Sequence, residues 1–200
     1  LETQKKLATK RTGNHLYSAQ LFSYTPLMQA YFEQGLELGR SFVQPKYWGK
    51  RSLDYLWYGI GAFLEHNPQY RYLFGSVSIS NSLPDTAKEL IIYFYNLYFR
   101  SNNTLAIANN SYETTSGTEE VFDGHNYKND FATLKNLLAN MGVSVPTLYK
   151  QYTETFEDGG VHFLAFSVDP DFNYCVDGLI LTDLHKIKPK KKQRYMPNHR

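Results

Sequence analysis

Leu36-Glu37-Leu38-Gly39-Arg40-Ser41-Phe42-Val43, continued by Gln44-Pro45-Lys46-Tyr47-Trp48-Gly49-Lys50-Arg51-Ser52, is the stretch on which the fold turns. Its first half reads as a strand carrying one acid and one base. Its second half reads as a basic loop around a glycine, with a helix opening near Ser52. A strand that ends in such a loop offers unpaired backbone N–H groups and positive charge to an anion, most naturally a phosphate. Glu37, a few residues upstream, is then placed to accept a proton, and Arg40 to pair with it or to hold an acidic substrate. Residues three apart in a regular strand face opposite sides, so a bulge at Gly39 is needed to bring the two together. An ordinary ion pair on a strand, followed by a solvated basic turn, remains open as the plainer reading of the same residues.

Outward from this stretch, residues 16–22 alternate well enough to predict a strand, and Pro26 opens a short helix through Tyr31 and Phe32. Leu53, Leu56, Trp57, Ile60, Phe63 and Leu64 recur at helical spacing, which predicts a helix from Ser52 to His66. Residues 70–80 predict a third strand, with Gly75 marking a bulge or a close backbone approach. Pro84-Asp85-Thr86 opens a second long helix through Phe99, and residues 101–129, rich in Asn, Ser, Thr and Gly, read as a surface excursion. Asp130 is expected to cap a helix to Asn140, and Val145-Pro146 to lead into another, ended by Gly159-Gly160. Residues 161–168 and 175–184 form an expected antiparallel pair joined by Asp169-Pro170-Asp171-Phe172-Asn173. This order predicts an α+β fold, a mixed, mostly antiparallel sheet with helices on both faces.

Two hundred residues with 42% hydrophobic content can bury a sizeable core. A formal charge of +2 is too small for a general polyanion binder, and no nucleic acid is expected as partner. The positive charge crowds at Lys186, Lys188, Lys190, Lys191, Lys192 and Arg194, which read as a solvated basic tail over 186–200, able to meet an anionic membrane. Cys175 is the single cysteine, so no intrachain disulfide can form, and a reducing cytoplasmic setting fits. The start, Leu1-Glu2-Thr3, is neither an initiator methionine nor a signal peptide, and upstream sequence is expected.

Ser78, Ser80 and Asn81 follow the third strand and are candidates for substrate contact, with a strand end and helix cap as the bland alternative. The six histidines show no pair at ligand spacing, so no metal is expected. Asp169, Asp171 and Asp177 do not follow a calcium-loop pattern and read as turn and strand-end acids. Cys175 reads as a packed thiol.

The runs ELGRSFVQPKYWGKRSLDYLWYGIGAFL, NPQYRYLFGSVSISNS, VPTLYKQY and FLAFSVDPDFNYCVDGLILTDL resemble the GNAT acyltransferases, and within them the hemolysin-like branch, similar to ornithine-lipid and N-acyl amino acid synthases. The Glu-x-x-Arg element also resembles a strand of the acyl-homoserine-lactone synthases. The resemblance covers most of residues 16–184 apart from the excursion, with an acyltransferase domain over 1–185 and the fold's first strands expected upstream of the matched region. It implies a long-chain N-acyltransferase acting on an amino acid or aminolipid precursor, working in the cytoplasm or peripheral to the inner face of the membrane. The acyl thioester donor would lie along splayed central strands near Phe42, Val43 and the loop of Gly49, Lys50, Arg51 and Ser52, with Glu37 as base or water-positioning group and Arg40 as its organiser. The loop lacks the companion glycines of the family's RxxGxG pattern, which favours acyl carrier protein over coenzyme A as the carrier. An acetyl-CoA-dependent N-acetyltransferase, which would consume acetyl-CoA and ignore long acyl donors, is the first alternative. A noncatalytic acyl- or lipid-binding module of a larger protein is the second.

Overall fold

Tyr72-Leu73-Phe74-Gly75-Ser76-Val77-Ser78-Ile79 opens on a continuous apolar run with two aromatics, as a strand covered on both faces should, and alternates towards its end. In the computed structural model, which describes residues 16–39, 43–47, 50–114 and 121–197, it is the organising strand, β3 (Tyr72–Ile79). It lies between β2 (Gly35–Glu37), its parallel neighbour, and β6 (Cys175–Asp183), its antiparallel one. β5 (Val161–Asp169) pairs antiparallel with β6 and completes a four-stranded sheet of order β2-β3-β6-β5. A second, two-stranded antiparallel sheet joins β1 (Phe22–Tyr24) to β4 (Ala106–Ala108).

The long helices cover one face of the main sheet. They are α2 (Ser52–His66), α3 (Asp85–Phe99), α4 (Tyr127–Asn140) and α5 (Thr147–Thr155). Their shared core is aromatic: Tyr95, Tyr149, Phe94 and Phe163 are fully buried, and the Tyr149 hydroxyl donates to the Val77 carbonyl at 2.9 Å. That bond satisfies a polar group that burial would otherwise penalise. The opposite face is covered by the two-stranded sheet and a single turn of helix, α1 (Gln29–Phe32), through Leu21, Phe22, Met28 and Leu105 against Phe74, Leu179 and Leu181. The sheet is thus mixed, mostly antiparallel and open, with helices on both faces, as the α+β reading expected.

Several local expectations differ from what forms. Residues 17–20 are a 3₁₀ turn rather than a strand, because the backbone N–H groups of Tyr17 and Ser18 find an acceptor in Glu37, twenty residues on. The excursion at 101–129 contains β4, whose partner β1 lies some eighty residues away in sequence. Asn126, not Asp130, caps α4, accepting from the N–H of Asn129 at 3.1 Å. Asp130 is instead buried and accepts from the Tyr98 hydroxyl at 2.5 Å and the Gly124 N–H at 3.0 Å, tying the preceding loop to α3.

The basic C-terminal segment is not a free tail throughout. Pro189–Tyr195 forms α6, which packs on α2 with Tyr195 and Met196 buried. Asp54 of α2 accepts from Arg194 at 2.6 Å and from the Tyr195 hydroxyl at 2.9 Å. Burial pushes the Asp54 carboxyl up, but Tyr195, Arg51 and Arg194 outweigh it and hold it below the usual range. Contact between the helices is close enough that a Cβ on Gly61 would lie 1.9 Å from the Tyr195 carbonyl oxygen. This close approach accounts for a glycine that helix propensity disfavours. Among the described residues no helix is long and apolar enough to cross a membrane.

Candidate functional site

β2 and β3 run side by side for only three residue pairs, Gly35↔Tyr72, Leu36↔Leu73 and Glu37↔Phe74, plus a hydrogen bond from Leu38 N–H to the Phe74 carbonyl at 2.7 Å. β2 then leaves the sheet at Leu38 and Gly39, while β3 continues to Ile79 against β6. Gly75 stands at the fork. A Cβ there would lie 2.0 Å from the Leu38 carbonyl oxygen, so only glycine allows the two backbones to approach this closely before they part.

The gap left by the parting strands is a cavity of about 710 Å³, the size of a small-molecule binding site. Ser76, Val77 and Ser78 of β3 form one wall. Leu53, Leu56, Trp57 and Ile60 of α2 form a second, apolar wall, and Leu148 and Tyr152 of α5 close it. Trp57 is held by Tyr152 and Tyr195, with ring centroids 5.3 and 5.8 Å away. Polar groups concentrate at one side, where Ser76 and Ser78 meet Asp177 of β6 and Asp169 at the end of β5. The Ser76 hydroxyl is buried and has no hydrogen-bond partner among the described residues.

Asp177 is the most distinctive of these groups. It is 4% exposed, and Ser78, directly opposite it in the β3–β6 register, donates its hydroxyl to Oδ1 at 2.8 Å. Burial pushes its carboxyl up to about 6; the Ser78 bond pulls in the other direction, and the charge of Asp169 adds to the rise. Asp169 is itself committed to the β5–β6 turn, accepting from the N–H groups of Asp171 at 2.9 Å and Phe172 at 3.1 Å.

The candidates read from the sequence fall into three groups. Val43 and Ser78 line the cavity. Arg40, Phe42 and Gly49 lie outside the described residues, as does any bulge carried past Gly39. The remainder sit around the site. Glu37 accepts from Tyr17 N–H at 3.1 Å, Ser18 N–H at 2.8 Å and the Ser18 hydroxyl at 2.5 Å, so both of its oxygens are engaged in fixing the 3₁₀ turn. Ser52 begins α2 and donates to the Tyr47 carbonyl at 2.9 Å, Arg51 pairs with Asp54 at 3.2 Å, and Lys50 is exposed beside the Tyr47 ring. Ser80 bonds Ser82, and Asn81 accepts from Lys88 at 3.1 Å, shaping the turn into α3 rather than the cavity wall. The sequence reading gives Asp177 only a strand-end role and Trp57 only a place on the apolar face of its helix, and assigns Ser76 nothing. The available signal for Asp177 was a lone acid inside the apolar run of β6, since a carboxylate is rarely buried without a reason. Among the described residues no group of side chains could hold a metal ion.

Comparison with known proteins finds likenesses in sequence. The acetyltransferase (GNAT) domain family matches residues 2–58, a region that spans β1, β2, the basic loop and the start of α2. Two curated relatives, each described as a glycine N(alpha)-acyltransferase, from Phocaeicola vulgatus and Bacteroides thetaiotaomicron, are each 28% identical over 192 residues, or 90% of the chain. The chain spans 58% and 56% of their respective lengths. No solved structure matches the chain. Strand β2 of the parallel pair, the basic loop and the start of α2 lie within the matched residues, and over them the chain is similar to the GNAT acyltransferases.

Proposed function

We propose that the forked cleft holds a long fatty acyl chain, delivered as a thioester, and passes it to the amino group of an amino acid, with glycine as the first acceptor to test. The observation that carries this reading is the composition of the cleft: an extended apolar wall from α2 and α5 facing a few polar groups confined to one side. Each methylene buried in such a wall contributes about 0.8 kcal/mol. A long acyl chain therefore gains far more here than an acetyl group does, which favours a fatty acyltransferase over an acetyl-CoA enzyme. The description of both relatives as glycine N(alpha)-acyltransferases supports an amino acid acceptor and N-acylation.

In the step itself the amine nitrogen attacks the thioester carbonyl carbon, the new C–N bond forms, the C–S bond breaks and the carrier leaves as its thiol. The carrier's phosphate is assigned to the exposed cations Lys46 and Lys50 beside Ser52. Acyl carrier protein is favoured over coenzyme A because the loop lacks the glycines of a tight pyrophosphate cradle. In this reading the chain resembles the hemolysin-like branch in function as in sequence, and the exposed Lys190 of α6 supplies contact with anionic membrane.

Filling the cleft tests the donor assignment. Ile60→Trp is expected to shift acyl-chain preference toward shorter donors, with at least a tenfold fall in kcat/KM for a long-chain thioester, since losing two buried methylenes already corresponds to about 1.6 kcal/mol. Competition between thioesters of graded length, followed by mass spectrometry of the amide products, measures it. An unchanged length profile in that variant would remove the acyl chain from this wall. A wild-type protein that binds long thioesters without forming any amide would support a binding module instead.

A further inference from the structure

We propose that Asp177 is the proton acceptor of the transfer step, taking a proton from the ammonium form of the acceptor amine so that its nitrogen can attack. The inference rests on the acyl-transfer reading above and names the group that reading leaves open.

Three observations carry it. Asp177 lines the cavity and is 4% exposed, and it sits where the polar groups gather, across from the apolar wall. Its position is fixed from two sides: the β3–β6 register sets it opposite Ser78, and the Ser78 hydroxyl holds Oδ1 at 2.8 Å. Glu37, a second carboxylate on a strand of the same sheet, already accepts three hydrogen bonds from residues 17 and 18 and does not line the cavity. A buried carboxylate is costly, and nothing in the β3–β6 ladder requires one at this point. Asparagine would accept the same bond from Ser78.

The proton balance is simple. The acceptor ammonium gives one proton to the Asp177 carboxylate, and the free amine attacks the thioester carbon. On collapse the nitrogen loses its second proton, the sulfur takes one up as the C–S bond breaks, and Asp177 returns its proton to water. The products are the amide, the carrier thiol and one proton. The groups that act on Asp177 are Ser78 of β3 and Asp169 at the end of β5, and Tyr149 of α5, whose buried hydroxyl senses its charge. A carboxyl raised toward neutrality by its surroundings is well matched to this task.

The test uses the purified protein, a long-chain acyl thioester and glycine, with rates and donor affinity measured across pH. The wild-type kcat is expected to rise through about pH 6 as Asp177 ionises. Asp177→Asn is expected to lower kcat by about 10²- to 10⁴-fold, to abolish that rise, and to leave donor affinity within twofold. Ser78→Ala, at an exposed position, is expected to move the rise to higher pH because the hydroxyl favours the carboxylate. If Asp177→Asn does not fold, Ser78→Ala alone decides the question. A variant pair with wild-type kcat and an unmoved pH profile overturns the role of Asp177 while the acyl-transfer reading stands. A wild-type protein that forms no amide overturns the underlying reading, and the role of Asp177 with it.

Discussion

Gly75→Ala is expected to lower the unfolding midpoint by several degrees and to abolish donor binding, although it adds one methyl group. The new Cβ would lie 2.0 Å from the carbonyl oxygen of Leu38, a backbone atom that has no rotamer by which to escape. Either β2 or β3 must move. β2 is held to β3 by three residue pairs and the Leu38 bond, so the short strand is the one that yields. Overpacking of this kind costs roughly 1–3 kcal/mol, and here the strain falls at the fork that opens the cleft. Thermal denaturation and titration with a long-chain thioester measure the two consequences. A Gly75→Ala protein with wild-type midpoint and affinity would show that the fork is not built on this close approach.

Asp177→Asn is expected to stabilise the protein above pH 6 while costing it activity. The native carboxyl, at about 6, lies above its ordinary value of 3.8, so the folded chain holds the proton more tightly than the unfolded one. A neutral acid at this position is fully favourable below the ordinary value, and that advantage is lost as pH rises through 6 and the buried group must ionise. A shift of about two pH units corresponds to about 3 kcal/mol of stability withheld at neutral pH. Asparagine imitates the neutral acid and keeps the Ser78 bond, so the variant and wild type should match near pH 4 and separate by up to that amount near pH 8. Denaturant unfolding at the two pH values reads it directly. Equal stabilities at both would remove the cost assigned to the buried carboxylate, and a destabilised variant at pH 8 would show the carboxylate to be a structural asset.

The elements whose boundaries were legible are those with strong period and clear punctuation. α2 and α3 begin after basic-loop and proline signals and keep helical spacing to their ends, and the β5–β6 pair is marked by Asp169-Pro170. What escaped depends on partners distant in sequence. The 3₁₀ turn at Tyr17–Gln20 exists because Glu37 reaches back to cap it, and β4 exists because β1 lies alongside. Neither relation leaves a local trace. α6 is similar: its lysines read as a solvated run, while Tyr195 and Met196, which bury against α2, are two residues among many charges.

The site divides along the same line. Val43 and Ser78, which line the cavity, lie on or beside strands that the sequence marks. Asp177 was read as a strand-end acid, since only cross-strand register shows that it stands opposite Ser78 and opens into the cleft. Glu37 remained prominent in sequence because it adjoins the motif, whereas its hydrogen bonds show it holding the turn beside the site.

The most direct measurement is a product assay on the purified protein with glycine and three donors: a long-chain acyl carrier protein thioester, the matching acyl-CoA, and acetyl-CoA. Mass spectrometry is expected to find N-acylglycine from the long-chain donors, most efficiently from the carrier protein, and little or no N-acetylglycine. N-acetylglycine formed as efficiently as the long-chain amide, or no amide from any donor, would contradict the assignment of the forked cleft to fatty acyl transfer.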